Sequence, residues 1–226
     1  MKVAIVYIYP SALNGATDDY VGRFLSSYVR NPTKVYHDSI VVLNGGKQSS
    51  ELLCMFSCLK NCRFFEHDDS GWDIGAFQAV AAANAQYDVM VFLGTSAWIK
   101  GPSWLDRIVE TFSHHGDHLY GVMGNQGNGN GVHPHIRTTG FWMRPGLLNE
   151  YPVRVNTPGQ RYPFEHGQQC LTQFVWSRRK KAYVITWNGA YEYPNWDSIP
   201  NGFHRGNQSA LIIGDRVSDP PYYAIP

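Results

Sequence analysis

Residues 68–77, DDSGWDIGAF, carry the densest set of groups able to do chemistry. Asp69 and Asp73 flank the start of a helical pattern, in company with Gly71, Trp72 and Gly75. Carboxylates in such places either cap free backbone N–H groups or accept hydrogen bonds from the hydroxyls of a ribose or sugar. The glycines let backbone approach a ligand closely, and the indole offers a flat apolar face to a ring. A cap alone needs neither the glycines nor Trp72. Gly94-Thr95-Ser96 closes the apolar run DVMVFL and offers hydroxyls but no carboxylate. Further along, Glu165 and His166 in FEHGQQCLTQFVW are proton acceptors suited to neutral pH. Glu165 reads equally well as a charge at a helix start.

Other reactive types give weaker patterns. Cys54, Cys58 and Cys62 fall four apart, which on one helix makes a core-facing stripe of small apolar groups. No Cys-x-x-Cys knuckle is present, so a zinc site is not expected from them. His114, His115 and His118, and the pair His133 and His135, match no common zinc spacing and read as solvated loop histidines. Arg178 to Lys181 form a basic run closing a helix, where positive charge is favourable, and where the phosphates of a lipid-linked acceptor would also be met.

These groups need a scaffold. VAIVYIY (3–9) reads as a strand buried on both faces and SIVVLN (39–44) as a second buried strand, with CRFFEH (62–67) and DVMVFL (88–93) as a third and a fourth strand. Helical patterns over 18–30, 49–60, 73–86 and 102–114 alternate with them. Four such repeats predict an α/β domain with a mainly parallel sheet flanked by helices. Ligands on such a sheet sit outside the carboxyl ends of its strands. Those ends are Tyr9-Pro10, Asn44-Gly45, Asp68 to Gly71, and Gly94 to Ser96. In the second half, strands are expected over 119–125, 135–144 and 181–187, with helices over PGLLNEY and 164–180. Residues 152–163 and the aromatic tail read as irregular.

Composition narrows the classes. Of the 226 residues, 43% are hydrophobic and 16% charged, which makes a globular chain rather than a disordered one. A net charge of +1 gives no broad field for nucleic acid. No apolar run is long enough to span a bilayer, and MKVAIVYIYP reads as a first strand and not as a secretory signal. The expected location is the cytoplasm, with peripheral membrane contact as a variant. No P-loop or dinucleotide fingerprint is present.

The order strand, Gly71-x-Asp73-x-Gly75-Ala76, Ala-rich helix, Tyr87-Asp88, apolar strand, polar triplet, Pro102 and helix resembles GT-A-fold glycosyltransferases of the family-two type. It is closest to the branch that resembles rhamnan-synthesis F proteins. HIRTTGFWMRPGLL (135–148) resembles the following strand, near which that family takes its acceptor. The likeness covers roughly residues 3–148. It implies a GT-A-like single domain over 1–226, with 1–115 as the nucleotide-sugar half and 116–226 as the acceptor half and tail. It implies transfer of a hexosyl group from a UDP- or dTDP-sugar to a glycan or lipid-linked glycan, with inversion as the expected outcome.

The resemblance also assigns residues. Tyr9, Asn44, Asp69, Gly71, Trp72, Asp73, Gly75, Thr95 and Ser96 are expected on the donor. Arg137, Thr138, Trp142 and Arg205 are expected on the acceptor or on phosphate, and Glu165 is the expected base with His166 as its substitute. The departure lies at Gly94-Thr95-Ser96, where the family pattern leads one to expect Asp-x-Asp for Mn²⁺ or Mg²⁺. His204 and Asp215 are the alternative ligands, and Arg137, His204 and Arg205 the alternative source of positive charge. Metal independence is the favoured expectation. Two rivals remain: a non-catalytic nucleotide- or sugar-binding module, and a nucleotidyltransferase, against which SALNGATDDY counts because it lacks a basic residue.

Overall fold

The computed structural model describes residues 1–11, 18–199 and 209–216. The elements follow in the order β1 (Val3–Pro10), α1 (Asp18–Arg30), β2 (Asp38–Asn44), α2 (Ser50–Met55), β3 (Cys62–His67), α3 (Trp72–Ala83), β4 (Val89–Leu93), β5 (Trp98–Ile99) and α4 (Trp104–His115). There follow β6 (Leu119–Gly121), β7 (Gly124–Asn125), β8 (His135–Ile136), β9 (Gly140–Met143), α5 (Pro145–Asn149), a 3-10 turn (Pro158–Gln160) and α6 (Arg161–His166). The last are α7 (Leu171–Ser177), β10 (Ala182–Ile185), β11 (Ala190–Glu192) and β12 (Ile213–Gly214).

One eight-stranded sheet runs β11-β10-β6-β9-β4-β1-β2-β3. β4, β1, β2 and β3 are mutually parallel, as the alternating pattern predicts. β9 enters antiparallel between β4 and β6, so the sheet is mixed. Strands β1 and β4 bury side chains on both faces, one packed by Phe24, Phe56 and Trp104, the other by Ile74, Phe77 and Leu148. That double burial is why these segments read as continuous apolar runs. The insertion of β9 brings its start beside the end of β4, with Gly140 level with Leu93. The segment Arg137 to Thr139 therefore meets Gly94 to Ser96 at the carboxyl edge.

Three expectations need correction. The helix expected over 164–180 is two helices, because Gly167 turns to an extended backbone (φ −71°, ψ 174°) and α7 restarts after Cys170. The strand expected over 135–144 breaks at Arg137 to Thr139, and β8 pairs with β7 instead of joining the main sheet. The cysteine stripe does not exist, since α2 stops at Met55. Cys54 and Cys58 are exposed, and Cys62 lies in β3, where burial pushes its thiol up to about 11.

At the opposite, amino edge of the sheet, the Tyr28 hydroxyl donates to His37 Nε2 (2.8 Å). His37 Nδ1–H donates to the Val35 carbonyl (2.8 Å). Burial holds this imidazole below the usual histidine range, against the pull of the Val35 carbonyl; Lys60 adds to the lowering and Asp38 opposes it. The unfolded chain therefore binds a proton here before the folded one does. Stability is expected to fall as pH drops from about 6.5 through the lower folded value. Urea titrations at pH 7 and 5 check this, and His37→Gln is expected to flatten part of the dependence.

Candidate donor and acceptor site

The carboxyl ends of β1, β2 and β3 are tied together. Ser11 N–H donates to the Asn44 carbonyl (3.0 Å) and Gly45 N–H to the His67 carbonyl (2.8 Å). Asn44, almost fully buried, gives its side-chain amide to the Asp69 carboxylate and faces His67 Nδ1 with its oxygen (2.7 Å). Burial holds His67 below the usual histidine range, offset by Asp68 and Asp69. Asn44 is thus used up in orienting Asp69. Tyr9 packs its ring edge-on against Phe56, at 5.7 Å between centroids, at the same edge.

The turn into α3 is held in an uncommon conformation. Asp69, Gly71 and Trp72 have φ of 69°, 68° and 55°, all in the left-handed region. Strain of this kind persists only where the surroundings enforce it. The close approach made by the glycines is to this chain's own backbone. A Cβ at Gly71 would stand 1.9 Å from the Val155 carbonyl oxygen, and one at Gly75 would stand 2.0 Å from that of Ser70. Gln78, buried in α3, clamps the same strap by donating to the Val153 carbonyl (2.9 Å) and accepting from Val155 N–H (2.9 Å).

Asp73 is not the helix cap. The cap position is Gly71, with no side-chain bond. Asp73 instead meets Arg161 of α6, whose Nη2 donates to Oδ2 at 3.0 Å and whose Nε lies 2.6 Å from Oδ1. Burial pushes the Asp73 carboxyl up, the Arg161 guanidinium pulls it back, and Glu165 adds a smaller upward push. The guanidinium also lies 4.9 Å from the centre of the Trp72 ring, which is half exposed. Arg161→Met is expected to cost about 1–3 kcal/mol by leaving the Asp73 carboxylate without its partner. A denaturant titration checks it, and a loss below about 0.5 kcal/mol would contradict the pairing's role.

One turn further along α6 lies Glu165, in the last turn of that helix and not at a helix start. Its Oε2 accepts from the Thr138 hydroxyl (2.7 Å) and lies 3.9 Å from His166 Nε2. His135 is fully buried in β8, so it is not a solvated loop histidine. Its Nδ1–H donates to the His133 carbonyl (2.7 Å), which leaves Nε2 to accept from His166 Nδ1–H (3.0 Å). Burial holds His135 low, against the pull of the His133 carbonyl, and His166 lowers it further. The exposed ring of Tyr162 covers His166 at 4.8 Å.

Across Thr139, whose carbonyl accepts Gly94 N–H (3.1 Å), this cluster adjoins the end of β4. The Tyr7 hydroxyl donates to the Thr95 carbonyl (2.7 Å) and fixes the turn. β12 pairs antiparallel with β5, Gly214 level with Trp98, which sets buried Asp215 level with Ala97. A glycine and two hydroxyl residues do not fit a hard divalent cation, which takes anionic oxygens. His204 and Arg205 lie outside the described residues.

The structure thus brings together Asn44, Asp69, Asp73, Thr138, Glu165 and His166 along one edge. It does not bring Trp142 there. Trp142 is fully buried in β9, stacked on Tyr120 at 5.9 Å, and cannot touch an acceptor. Arg137 gives its N–H to the Met123 carbonyl (3.0 Å) and lays its guanidinium along the Met123 sulfur (3.9 Å). The basic run is engaged too: Lys180 pairs with Asp117 (2.9 Å) and Lys181 with Glu192 (2.8 Å). Sequence reasoning missed Arg161, Gln78 and the burial of His135. The three prolines of 152–163 conceal Arg161, since they mask the short helix that carries it.

No family profile and no curated protein matches the sequence. Solved structures do resemble the fold. Mouse xyloside xylosyltransferase 1 superposes with a TM-score of 0.52 at 11% identity, over 82% of this chain and 86% of that one. Staphylococcus aureus TarS 1–349 in complex with UDP gives 0.48 at 14% identity, over 68% of this chain. This chain spans half the length of that one, with 50% covered. The Pyrobaculum calidifontis mannosyltransferase PcManGT, in complex with GDP-Man and Mn²⁺, gives 0.49 at 10% identity, over 68% of this chain and 49% of that one. The likeness to the xylosyltransferase, with the mixed sheet and flanking helices, gives the chain a GT-A-like fold.

Proposed function

We propose that the chain is a glycosyltransferase that moves a sugar from a nucleotide-activated donor to a hydroxyl of a glycan acceptor, with inversion. The observation that supports this reading is that Asp69 and Asp73, at the turn into α3, and Glu165, bonded to Thr138 next to the end of β4, lie at the carboxyl edge of a GT-A-like sheet. Asp69, oriented by Asn44, receives ribose or sugar hydroxyls, and Trp72 offers its exposed face to a ring. Glu165 accepts the proton of the acceptor hydroxyl as that oxygen bonds to the anomeric carbon. The bond from that carbon to phosphate breaks in the same step, and the nucleoside diphosphate leaves with the electron pair.

In the family that the sequence resembles, a divalent ion supplies positive charge at the diphosphate. Because the strand end lacks carboxylates, the negative charge that develops there is assigned here to hydrogen bonds from the Thr95 and Ser96 hydroxyls and from backbone N–H groups. The resemblance to the rhamnan-synthesis branch, and a UDP- or dTDP-linked hexose as donor, rest on the residues alone. Release of free nucleotide from a panel of nucleotide sugars, with EDTA and with Mn²⁺, tests the reading. Turnover that survives EDTA supports sugar transfer without a metal. Turnover only with Mn²⁺ points to Asp215 as a ligand. Saturable binding without turnover favours a binding module, the reading that the missing carboxylates support.

A further inference from the structure

We propose that His135, Glu165 and His166 form a binding site for a borderline divalent transition metal of the Zn²⁺ or Co²⁺ kind. One ligand atom from each of the three lies within 4.8 Å of the other two. Two nitrogens bound to one ion at about 2.0–2.1 Å stand about 3.0–3.4 Å apart. His135 Nε2 and His166 Nδ1 are already 3.0 Å apart, with their rings edge to face. Seating an ion between them requires the His166 proton to move from Nδ1 to Nε2 and the Glu165 carboxylate, whose Oε2 lies 3.9 Å from His166 Nε2, to turn in, with no movement of backbone.

The surroundings have the features that metal-binding histidines need. His135 gives its other nitrogen, Nδ1–H, to a backbone carbonyl, which fixes the tautomer and aims the Nε2 lone pair inward. The Thr138 hydroxyl donates to Glu165 Oε2 at 2.7 Å, which orients the carboxylate and leaves lone pairs for an ion. His166 is anchored through its carbonyl, which accepts His133 N–H at 2.9 Å, so both histidines belong to one braced unit. Two imidazoles and one carboxylate suit a borderline metal better than Mg²⁺ or Ca²⁺, which prefer oxygen. Glu165 and His166 are partly open to solvent, which gives the ion a way in and leaves room for a water or an anionic ligand atom.

An ion seated here occupies the carboxylate that the proposed function uses as a base, so the two roles alternate. The inference does not depend on that function, because its readout is the metal itself. The chain, stripped with EDTA, is titrated with Co²⁺ and followed by visible absorption and calorimetry. The expected result is one Co²⁺ per chain, displaced by Zn²⁺, without the near-ultraviolet band of a cobalt–thiolate bond. Affinity is expected to fall tenfold or more in Glu165→Gln and in His166→Gln, both partly exposed positions where the fold should hold, as circular dichroism would check. Absence of saturable binding by the unaltered chain would overturn the proposal. So would unchanged affinity in both variants, or a thiolate band placing the ion on exposed Cys54 and Cys58.

Discussion

Glu165→Gln is expected to lower the rate of sugar transfer by about 10²–10⁴-fold while leaving the fold intact. The amide keeps the size of the side chain and can still accept the Thr138 hydroxyl that Glu165 accepts now at 2.7 Å. It cannot take a proton from an acceptor. The loss should fall on kcat, since nothing in the donor pocket changes. Asp73→Asn is the informative contrast. It leaves the proton acceptor in place but weakens the contact with Arg161, so its effect should be smaller and shared with stability. A Glu165→Gln protein with near-normal kcat would remove Glu165 as the base.

The largest expected effect on stability is at Gly71 and Gly75. A Cβ at Gly71 meets the Val155 carbonyl oxygen at 1.9 Å and must also adopt a φ of 68°. One at Gly75 meets the Ser70 and Val155 carbonyls at 2.0 and 2.6 Å. These are backbone atoms and cannot swing away. Overpacking and left-handed strain each cost about 1–3 kcal/mol, so Gly71→Ala is expected to lose about 3 kcal/mol. In a chain of this size that lowers Tm by about 6–12 °C, readable by calorimetry. Gly129→Ala is the control, because nothing lies within 4 Å of its added Cβ although its φ of 75° is also positive. It should lose only the conformational part.

How far the sequence foretells this arrangement depends on distance along the chain. β1, β2, β4, α1 and α4 announce themselves because each is long and is buried on both faces or along one stripe. The four strand ends then follow from topology. The second half is harder, since its breaks are made by tertiary partners. Nothing periodic marks Gly167 as the end of α6, yet its Cα sits where a Cβ would press on the Pro163 backbone at 2.9 Å. The separation of β8 from β9 is set by bonds to Met123 and Thr172, far away in sequence. β5 and β12 are two residues each and exist only because they pair with one another. Trp142 shows the cost of reading by type. An aromatic beside a polar loop suggests a sugar contact, but β9 is a central strand and its side chains belong to the core. Arg161 is the reverse case, an ordinary surface residue by sequence that the partly buried Asp73 carboxylate makes central.

The central claim is that the carboxyl edge between β3 and β4 receives a nucleotide-linked sugar. Its most direct test is a crystal structure of the chain soaked with UDP and, separately, with dTDP. The expected result is the ribose or base against Asp69 and Trp72, and the diphosphate within hydrogen-bond reach of Thr95 and Ser96. A nucleotide bound instead at the amino edge, beside Tyr28 and Lys60, or lying away from residues 69–76 and 94–96, would contradict it.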